Sequence, residues 1–300
     1  MDTKSHFTFV FLSPSNWIDY ALLDSGAGAK LEQFGPYRFV RPEPQALWLP
    51  ALPQETWRAA DAIFRGGDSE EGGKWQFNRS VEPQWVMHYK TMSFWSKITS
   101  FRHLGVFPEQ ASQWDWLSET IQRANRPVRI LNLFGYTGLA TLVAAKAGAH
   151  VTHVDASKQA VSWARENQML SGLGDQPIRW IVDDALKYVQ REVRRQIHYD
   201  GLIIDPPKFG RGPKDEIWKL YDSLPVLLKI CRSLLSKQPL FAVLTAYAIR
   251  VSALSLQYTL EEMFAGYDGS TISGEMTLIE QSRGRQLSTA IFSRWVSHQS

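Results

Sequence analysis

In the second half of the chain, one apolar run ends in a glycine-containing turn and the next one ends in an aspartate. Residues Leu131–Gly138 read Leu-Asn-Leu-Phe-Gly-Tyr-Thr-Gly, a pattern typical of a buried strand whose turn opens a helix. Asp155 ends the next apolar run, 20 positions after Gly135. A carboxylate at that place can accept both hydroxyl hydrogens of an adenosine ribose. The alternative interpretation of Asp155 is a helix N-cap.

A third apolar run ends in a pair of acids, Asp183 and Asp184, which Ala185 follows. One of these carboxylates can accept a hydrogen bond from an adenine amino group, while the N–H of Ala185 meets a ring nitrogen. Helix capping is again the alternative, and the pattern leaves open which aspartate turns inward.

The fourth run ends in Asp205-Pro206-Pro207-Lys208-Phe209, the most specific motif of the chain. The two prolines have a fixed φ and no N–H, so their carbonyl groups are held in place. A ligand amino group can donate to Asp205 and to a proline carbonyl, and Phe209 can stack on a planar base with about 1–3 kcal/mol.

The elements that must position these motifs follow from the alternation of apolar runs and amphipathic stretches after about residue 127. This alternation predicts an α/β domain with a Rossmann-like, doubly wound parallel sheet. The predicted strands are Val128–Phe134, His150–Asp155, Ile178–Asp183, Tyr199–Asp205 and Leu240–Tyr247. The predicted helices are Leu139–Ala147, Lys158–Leu170, Ala185–Arg195, Glu216–Leu235 and Ser252–Phe264. Gly274–Glu280 and Ser288–Trp295 are predicted to pair antiparallel at a sheet edge.

Residues 1–100 have closely spaced turn formers between short apolar runs, which predicts a smaller β-rich N-terminal domain, a candidate for substrate recognition. Its segment 66–73 is predicted to be an exposed loop tip. Residues 101–300 would then form the α/β domain.

Composition excludes a disordered or fibrous chain, since 44% of the 300 residues are hydrophobic and 21% are charged. The single cysteine, Cys231, permits neither an internal disulfide nor a multi-cysteine zinc site, and no metal is expected. Without an apolar run long enough to span a bilayer, a cytoplasmic protein is expected. The net charge of +3 permits a polyanionic partner without requiring one.

The four motifs together resemble those of the class I S-adenosylmethionine-dependent methyltransferases. Within that class the sequence is similar to bacterial proteins related to the large-subunit (23S) ribosomal RNA methyltransferases with an Asp-Pro-Pro-Lys-Phe motif, over about residues 105–295. The resemblance implies that S-adenosyl-L-methionine is the cofactor. It implies cofactor contacts from Phe107, Gln110, Asn132, Phe134, Gly135, Tyr136, Thr137, Gly138, Asp155, Ala156, Ser157, Asp183, Asp184, Ala185, Asp205 and Pro206.

The same resemblance makes Asp205, Lys208 and Phe209 the candidate catalytic residues, although Lys208 can equally point to solvent. Relatives that methylate carbon 5 of cytosine use a cysteine after the fifth strand, where this chain has Leu244–Tyr247 without one. We therefore expect methyl transfer to a nitrogen of an RNA base, with ribosomal RNA favoured.

Three alternatives remain open at this point: a protein that binds S-adenosylmethionine without methyl transfer, a methyltransferase with a protein or small-molecule acceptor, and an NAD-dependent oxidoreductase. The last is disfavoured because the turn lacks the third glycine of a dinucleotide site. Basic residues give weak support for RNA, namely Arg191, Arg194, Arg195, Arg211, Lys214, Arg283 and Arg285.

Overall fold

The computed structural model of the chain describes residues 8–15, 17–66, 73–247 and 249–298. The strands are β1 Phe9–Leu12, β2 Tyr20–Gly26, β3 Ala29–Phe34, β4 Tyr37–Pro42, β5 Ala62–Arg65, β6 Lys74–Phe77, β7 Gln84–Tyr89, β8 Met92–Lys97, β9 Arg129–Leu133, β10 His150–Asp155, β11 Ile178–Val182, β12 Gly201–Ile204, β13 Phe209–Arg211, β14 Ile217–Lys219, β15 Phe241–Ala246, β16 Gly269–Ile279 and β17 Gln286–Ser297. The helices are α1 Gln54–Arg58, α2 Ala111–Arg123, α3 Leu139–Lys146, α4 Lys158–Leu170, α5 Ala185–Arg194, α6 Leu220–Arg232 and α7 Ala253–Met263, with a short 3-10 helix at Pro108–Gln110.

The chain divides into two compact units. The larger unit consists of Ser112–Met276 with the described parts of Met1–Leu12 and Thr289–Ser300, and the smaller unit consists of Ser13–Ala111 and Thr277–Ser288. This division differs from the predicted boundary at residue 100, because residues 101–111 and the tip of the β16–β17 hairpin group with the smaller unit. Of the predicted loop tip, residues 67–72 lie outside the described residues.

The larger unit contains an eight-stranded sheet in the order β1-β16-β17-β15-β12-β9-β10-β11. Strands β9 to β12 and β15 run parallel to one another, and β17 runs antiparallel to β15. The predicted doubly wound sheet with its C-terminal hairpin is therefore confirmed. The chain passes outward from β9 through β10 to β11, then crosses to the other side of β9 at β12, which makes the β9–β12 boundary a topological switch point.

The central strands β12 and β15 are buried along their whole length because helices cover both faces of the sheet. All residues of Gly201–Ile204 and Phe241–Ala246 are buried. Alternate residues of each strand enter two separate apolar clusters, so that Leu202 packs with α5 and α6 whereas Ile203 packs with α2 and α3. The predicted strands and most predicted helices agree with the structure to within a few residues.

The predicted helix Glu216–Leu235 is wrong in its first turn. Residues Ile217–Lys219 form β14, which pairs antiparallel with β13, and α6 begins only at Leu220. The reason is a period of two in burial, since Trp218 is buried between two exposed neighbours. The sequence between residues 210 and 216 is rich in turn formers, and it closes the two short strands into a hairpin.

The smaller unit is β-rich, as predicted, with a five-stranded sheet β2-β3-β4-β5-β6 and the β7–β8 pair. The hairpin tip contributes to this unit by polar contacts. The backbone N–H of Gln281 donates to the Leu22 carbonyl at 2.9 Å, and Ser25 donates its hydroxyl to Glu280 at 2.6 Å. Ser282 donates to the buried carboxylate of Asp24 at 2.7 Å. Residues 277–288 thus complete the β2 edge of the smaller unit.

A buried ion pair lies in the smaller unit between Glu32 of β3 and Arg41 of β4. The Arg41 guanidinium donates from Nε to Glu32 Oε2 and from Nη2 to Oε1, each at 2.7 Å, and Tyr20 donates its hydroxyl to Oε1 at 2.8 Å. Burial would raise the pKa of Glu32, but the Arg41 charge and these hydrogen bonds hold it below its usual value. The carboxylate is thus a buried anion that depends on Arg41.

We predict that Arg41→Met destabilises the protein by about 3–5 kcal/mol, because it leaves the buried Glu32 carboxylate without the guanidinium that donates to both of its oxygens. The double variant Glu32→Leu/Arg41→Met should recover much of that loss, since it removes both charges. Urea unfolding measures both effects, with the exposed Arg38→Met on the same strand as the control. Equal stability of the Arg41 and Arg38 variants would contradict the prediction.

Candidate active site

The register of the sheet brings the four sequence motifs to one edge. Leu133 pairs with Val154 on one side and with Ile204 on the other, and Asp155 pairs with Val182. The carboxyl ends of β11, β10, β9 and β12 are therefore level. The residues at or just after these ends are Asp183, Asp155, Phe134 and Asp205, in that order across the sheet.

Neighbouring strands are about 4.8 Å apart, so the three steps from β11 to β12 span about 14 Å. This span is occupied in turn by the Asp183 region, Asp155, the glycine turn and Asp205. An elongated ligand lying across the four strand ends would meet acidic groups along its length and a glycine turn near its middle. The carboxyl edge at a topological switch point is where open α/β sheets bind ligands.

The turn after β9 has an unusual backbone. Phe134 and Tyr136 have left-handed φ values of 60° and 50°, and Gly138, which begins α3, has a φ of 85°. Left-handed backbone at non-glycine residues costs of order 1–2 kcal/mol each, and such strain persists where the surroundings hold it. The turn is held by the Gly135 N–H, which donates to the Val154 carbonyl at 3.1 Å, and by the Gly138 N–H, which donates to the Gly135 carbonyl.

The buried imidazole of His153 packs against this turn at Gly135. A Cβ atom added to Gly135 would lie 2.3 Å from Cε1 of His153, so only glycine fits above the ring. His153 Nδ1 lies 3.0 Å from Thr141 Oγ1, which also accepts a hydrogen bond from Asn132. Burial lowers the pKa of His153 to about 3, so the ring is neutral near neutral pH. The side-chain amide of Asn132 is used in its hydrogen bond to Thr141.

Asp155 is the candidate ligand-binding group of the edge whose own hydrogen bonds are best defined. Its Oδ2 accepts the Tyr136 N–H and its Oδ1 accepts the Ser157 N–H, both at 2.8 Å. Burial raises the pKa of this carboxyl, while the two backbone donors lower it. An ionised carboxylate has about four acceptor positions, so each oxygen can still accept one further hydrogen bond, as a ribose diol requires.

The acid pair after β11 divides into two different roles. Asp184 is buried and caps α5, accepting the Lys187 N–H at 2.9 Å through Oδ1. Asp183 is half-buried, accepts the Asp184 N–H at 3.0 Å and forms an ion pair with Arg191. The capping interpretation thus applies to Asp184, and Asp183 is the carboxylate oriented by a neighbouring cation. Ala185 is the buried first residue of α5.

The Asp205–Phe209 segment is tied to the sheet and to the β13–β14 hairpin. The Asp205 N–H faces the Leu133 carbonyl at 3.4 Å, and the indole N–H of Trp218 donates to the Pro207 carbonyl at 2.7 Å. The ring of Trp218 also packs against that of Phe134, with 4.8 Å between the ring centres, so Trp218 links this segment to the glycine turn. Because Trp218 takes the Pro207 carbonyl, the Pro206 carbonyl is the better candidate for a substrate contact.

The two catalytic candidates after the prolines contact each other. The Lys208 ammonium lies 5.7 Å from the centre of the Phe209 ring, and that ring is 57% exposed. Such a cation–π contact at an exposed site is worth about 0.5–1 kcal/mol. Lys208 is therefore placed over Phe209, whose side chain stays exposed enough to contact a planar base.

The remaining predicted site residues have structural partners of their own. The Thr137 carbonyl accepts the Asn167 amide at 3.0 Å, and the Ser157 hydroxyl accepts the Ala160 N–H as the N-cap of α4, following Ala156. Phe107 and Gln110 belong to the smaller unit, where the Gln110 N–H donates to the Phe107 carbonyl at 3.1 Å. Their role as cofactor contacts stays a prediction.

Three supporting residues were not singled out by the sequence in these roles. Trp218 lies within a predicted helix, His153 is an interior strand residue, and the sequence indicates for Arg191 only a place among the basic residues. The available signal was Arg191 itself, which lies eight positions after Asp183 and so two helical turns along α5. Trp218 and His153 act through tertiary contacts that no local pattern shows.

The model of the S-adenosylmethionine-dependent methyltransferase family matches residues 69–263. The chain belongs to this family. The resemblance inferred from the four motifs, the enzyme class and S-adenosylmethionine as the cofactor are thereby confirmed. The chain is also 48% identical to a crystallised S-adenosylmethionine-dependent methyltransferase of Agrobacterium tumefaciens, with 99% of this chain and 97% of that chain covered and a TM-score of 0.91.

Curated relatives of the methyltransferase are ribosomal RNA enzymes that are longer than the region matched. Ribosomal RNA large subunit methyltransferase K of Neisseria meningitidis is 26% identical over 191 residues, 61% of this chain and 53% of that protein. Methyltransferase K/L of Syntrophotalea carbinolica is 45% identical over 87 residues, 29% of this chain and 12% of that protein. The chain thus spans about half or less of these relatives' lengths. SMU.776, crystallised with S-adenosylhomocysteine, shares the fold at 16% identity, with 94% of this chain and 76% of that chain covered and a TM-score of 0.72.

The residues at the carboxyl edge fit the family's cofactor. Asp155 keeps two acceptor positions for a diol, Asp183 offers an oriented carboxylate for an amino group, and Gly135 leaves the turn free of side-chain bulk. Within the described residues, no cluster of potential metal ligands is present. Across the same residues, no helix is long and apolar enough to cross a membrane.

We predict that Gly135→Ala weakens cofactor binding and destabilises the methyltransferase by about 1–3 kcal/mol, because the added methyl overlaps the His153 ring. The double variant Gly135→Ala/His153→Ala should be more stable than the sum of the single changes, since the second substitution removes the overlap. Calorimetric titration and thermal unfolding measure these effects. The control is Gly174→Ala, whose new methyl meets only Met169 at 3.5 Å. Strict additivity of the two changes would contradict the prediction.

We predict an acid-dependent loss of stability that requires His153. In the unfolded chain His153 is protonated below its ordinary pKa of 6.5, whereas in the folded state it stays neutral down to about pH 3. The free energy of unfolding should therefore fall between these pH values by up to about 1.4 kcal/mol per pH unit from this group. His153→Gln should remove that contribution, with the exposed His150→Gln on β10 as the control. Equal pH slopes for the two variants, from urea unfolding at several pH values, would refute it.

Proposed function

We propose that this methyltransferase transfers the methyl group of S-adenosylmethionine to a nitrogen of an RNA base, with ribosomal RNA as the substrate. The single observation that carries the proposal is the level edge that orders Asp183, Asp155, the glycine turn and Asp205 across four adjacent strands. The names of the relatives in Neisseria and Syntrophotalea support the choice of RNA. An RNA substrate of this kind would place the protein in the cytoplasm.

Cofactor binding divides among the strand ends. Asp155 accepts the two ribose hydroxyls, and Asp183 accepts the adenine amino group while Arg191 holds its carboxylate in place. Asp184 positions α5 instead, because its side chain is buried and caps that helix by accepting the N–H of Lys187. The glycine turn approaches the methionine end, and its backbone geometry depends on the buried His153.

The acceptor side is formed by the Asp205–Phe209 segment. When bound, S-adenosylmethionine supplies a methyl group that is already activated by its sulfonium. Asp205 and the Pro206 carbonyl accept hydrogen bonds from the target amino group and so direct its lone pair at the methyl carbon, while Phe209 stacks on the base. Alignment of this kind lowers a barrier by about 7–11 kcal/mol at best. The Asp205 carboxylate is also placed to take up the proton that the nitrogen loses after transfer.

A nitrogen acceptor fits the residues better than carbon 5 of a pyrimidine. The latter reaction needs a nucleophile, and the strand end beside β12 offers Thr245 and Ala246 rather than a cysteine. Cys231 is fully buried in α6, and burial raises the pKa of its thiol to about 12. Such a thiol is not ionised at neutral pH.

The test incubates the purified chain with total cellular RNA and S-adenosylmethionine carrying a radioactive methyl group, followed by mass spectrometry of the nucleosides. The expected product is an N-methylated nucleoside from ribosomal RNA. Asp205→Asn should lower its formation by about 100-fold or more, since alignment of the acceptor is lost. Label found only in protein, or only as a carbon-5 methylpyrimidine, would refute the proposal.

The two aspartates after β11 give a matched pair of variants for the cofactor site. We predict that Asp183→Asn raises the cofactor Kd by about 10- to 100-fold, the loss of a hydrogen bond to a charged group. Asp184→Asn keeps a capping side chain, so it should change stability by less than about 1 kcal/mol and leave the Kd near that of the parent protein. Calorimetric titration distinguishes them. A larger effect on Kd from the Asp184 change would reverse the assignment.

A further inference from the structure

The β13–β14 hairpin presents an exposed face that cofactor binding does not use. Phe209 pairs with Lys219 and Arg211 pairs with Ile217, and directly paired residues of antiparallel strands share a face. Phe209, Arg211 and Ile217 are exposed by 57%, 77% and 69%, and Lys219 is exposed as well. We refer to these four side chains as the outer face. The opposite face carries Trp218, which is buried.

The hairpin is fixed to the active site by contacts on its inner side. Trp218 holds the Pro207 carbonyl, and the Leu220 N–H donates to the Lys208 carbonyl at 3.1 Å. Glu216 forms an ion pair with Lys187 of α5 at 2.5 Å and accepts the Lys214 N–H at 2.8 Å. The hydrogen bond and charge of Lys187 lower the pKa of Glu216 to about 2, so this carboxylate is ionised near neutral pH. A molecule bound to the outer face would therefore be held in a set position relative to Asp205.

The charge of the outer face favours a polyanion. Arg211 and Lys219 are both cationic, whereas Glu216 is used on the inner side by Lys187. Asp215 at the turn lies 3.9 Å from Arg211, an exposed pair that contributes little. Proteins that bind single-stranded nucleic acid combine cations along the backbone path with apolar groups that meet the bases, which is the composition of this face.

We propose that the outer face binds the unpaired RNA strand that flanks the methylated base. Phe209 stacks on the target base, Ile217 packs against a neighbouring base, and Arg211 and Lys219 contact phosphates. This inference rests on the proposed function and adds that the substrate must be single-stranded beside its target, because a paired strand cannot present base faces to the ribbon.

The test measures binding of a fluorescent, unstructured RNA oligonucleotide by anisotropy at several salt concentrations. Arg211→Gln/Lys219→Gln should reduce the slope of log K against log salt by about 1.4, which corresponds to two lost phosphate contacts on a single strand. It should also raise the KM for RNA, whereas the Kd for S-adenosylmethionine, which confirms folding, stays unchanged. The control Arg123→Gln/Lys237→Gln removes two exposed cations that precede β9 and β15, at the amino ends of the strands.

The possible outcomes separate the surface from the reaction. If Arg211→Gln/Lys219→Gln leaves the salt slope unchanged, as the control does, the outer face does not bind RNA. The proposal is then overturned even if the parent protein methylates RNA. The outer-face variant could instead bind RNA normally and lose the ability to methylate a protein acceptor. That result would assign the face to a protein partner and would also overturn the proposal. If the slope falls as expected but the parent protein methylates no RNA, the face still binds RNA, whereas its role beside a methylated base and the proposed function are both wrong. Equal binding of a fully paired RNA would overturn the single-strand requirement.

Discussion

The level register of four parallel strands is the constraint on which the site depends. Backbone hydrogen bonds between β11, β10, β9 and β12 fix the register of each strand against its neighbour. A shift by one residue would exchange the side chains that pack against the two helical layers. Each strand therefore delivers its next residue at the same height. Carboxylates that are far apart in sequence become a row, and their spacing is the spacing of the strands.

The arrangement of carboxylates along the strand ends also depends on a steric constraint at the glycine turn. His153 occupies the volume that any side chain at position 135 would need, and it does so as a buried, neutral ring. Its hydrogen-bonding partner Thr141 comes from α3, so the strand, the turn and the helix are fixed together. The left-handed residues on both sides of Gly135 are stable because this packing leaves the backbone no other path.

Most of the larger unit was predictable because its signals are local. Apolar strands buried on both faces, the capped helices α4 and α5 and the acids at strand ends all follow from residue type and period. The hairpin at residues 209–219 was not predictable in this way, since Ile217–Lys219 adjoins a helix and is too short to show its own period. The division between Asp183 and Asp184 also needed the structure, because both acids suit capping and binding equally well by type.

The two compact units interleave along the chain, and this has a consequence for how the protein is made. The β2 edge of the smaller unit is completed by residues 277–288, with Glu280 and Ser282 as partners of Ser25 and Asp24. The paired residues are 255 and 258 positions apart along the chain, so Glu280 and Ser282 are synthesised long after β2. The smaller unit therefore cannot reach its final set of contacts until residues 277–288 have been synthesised.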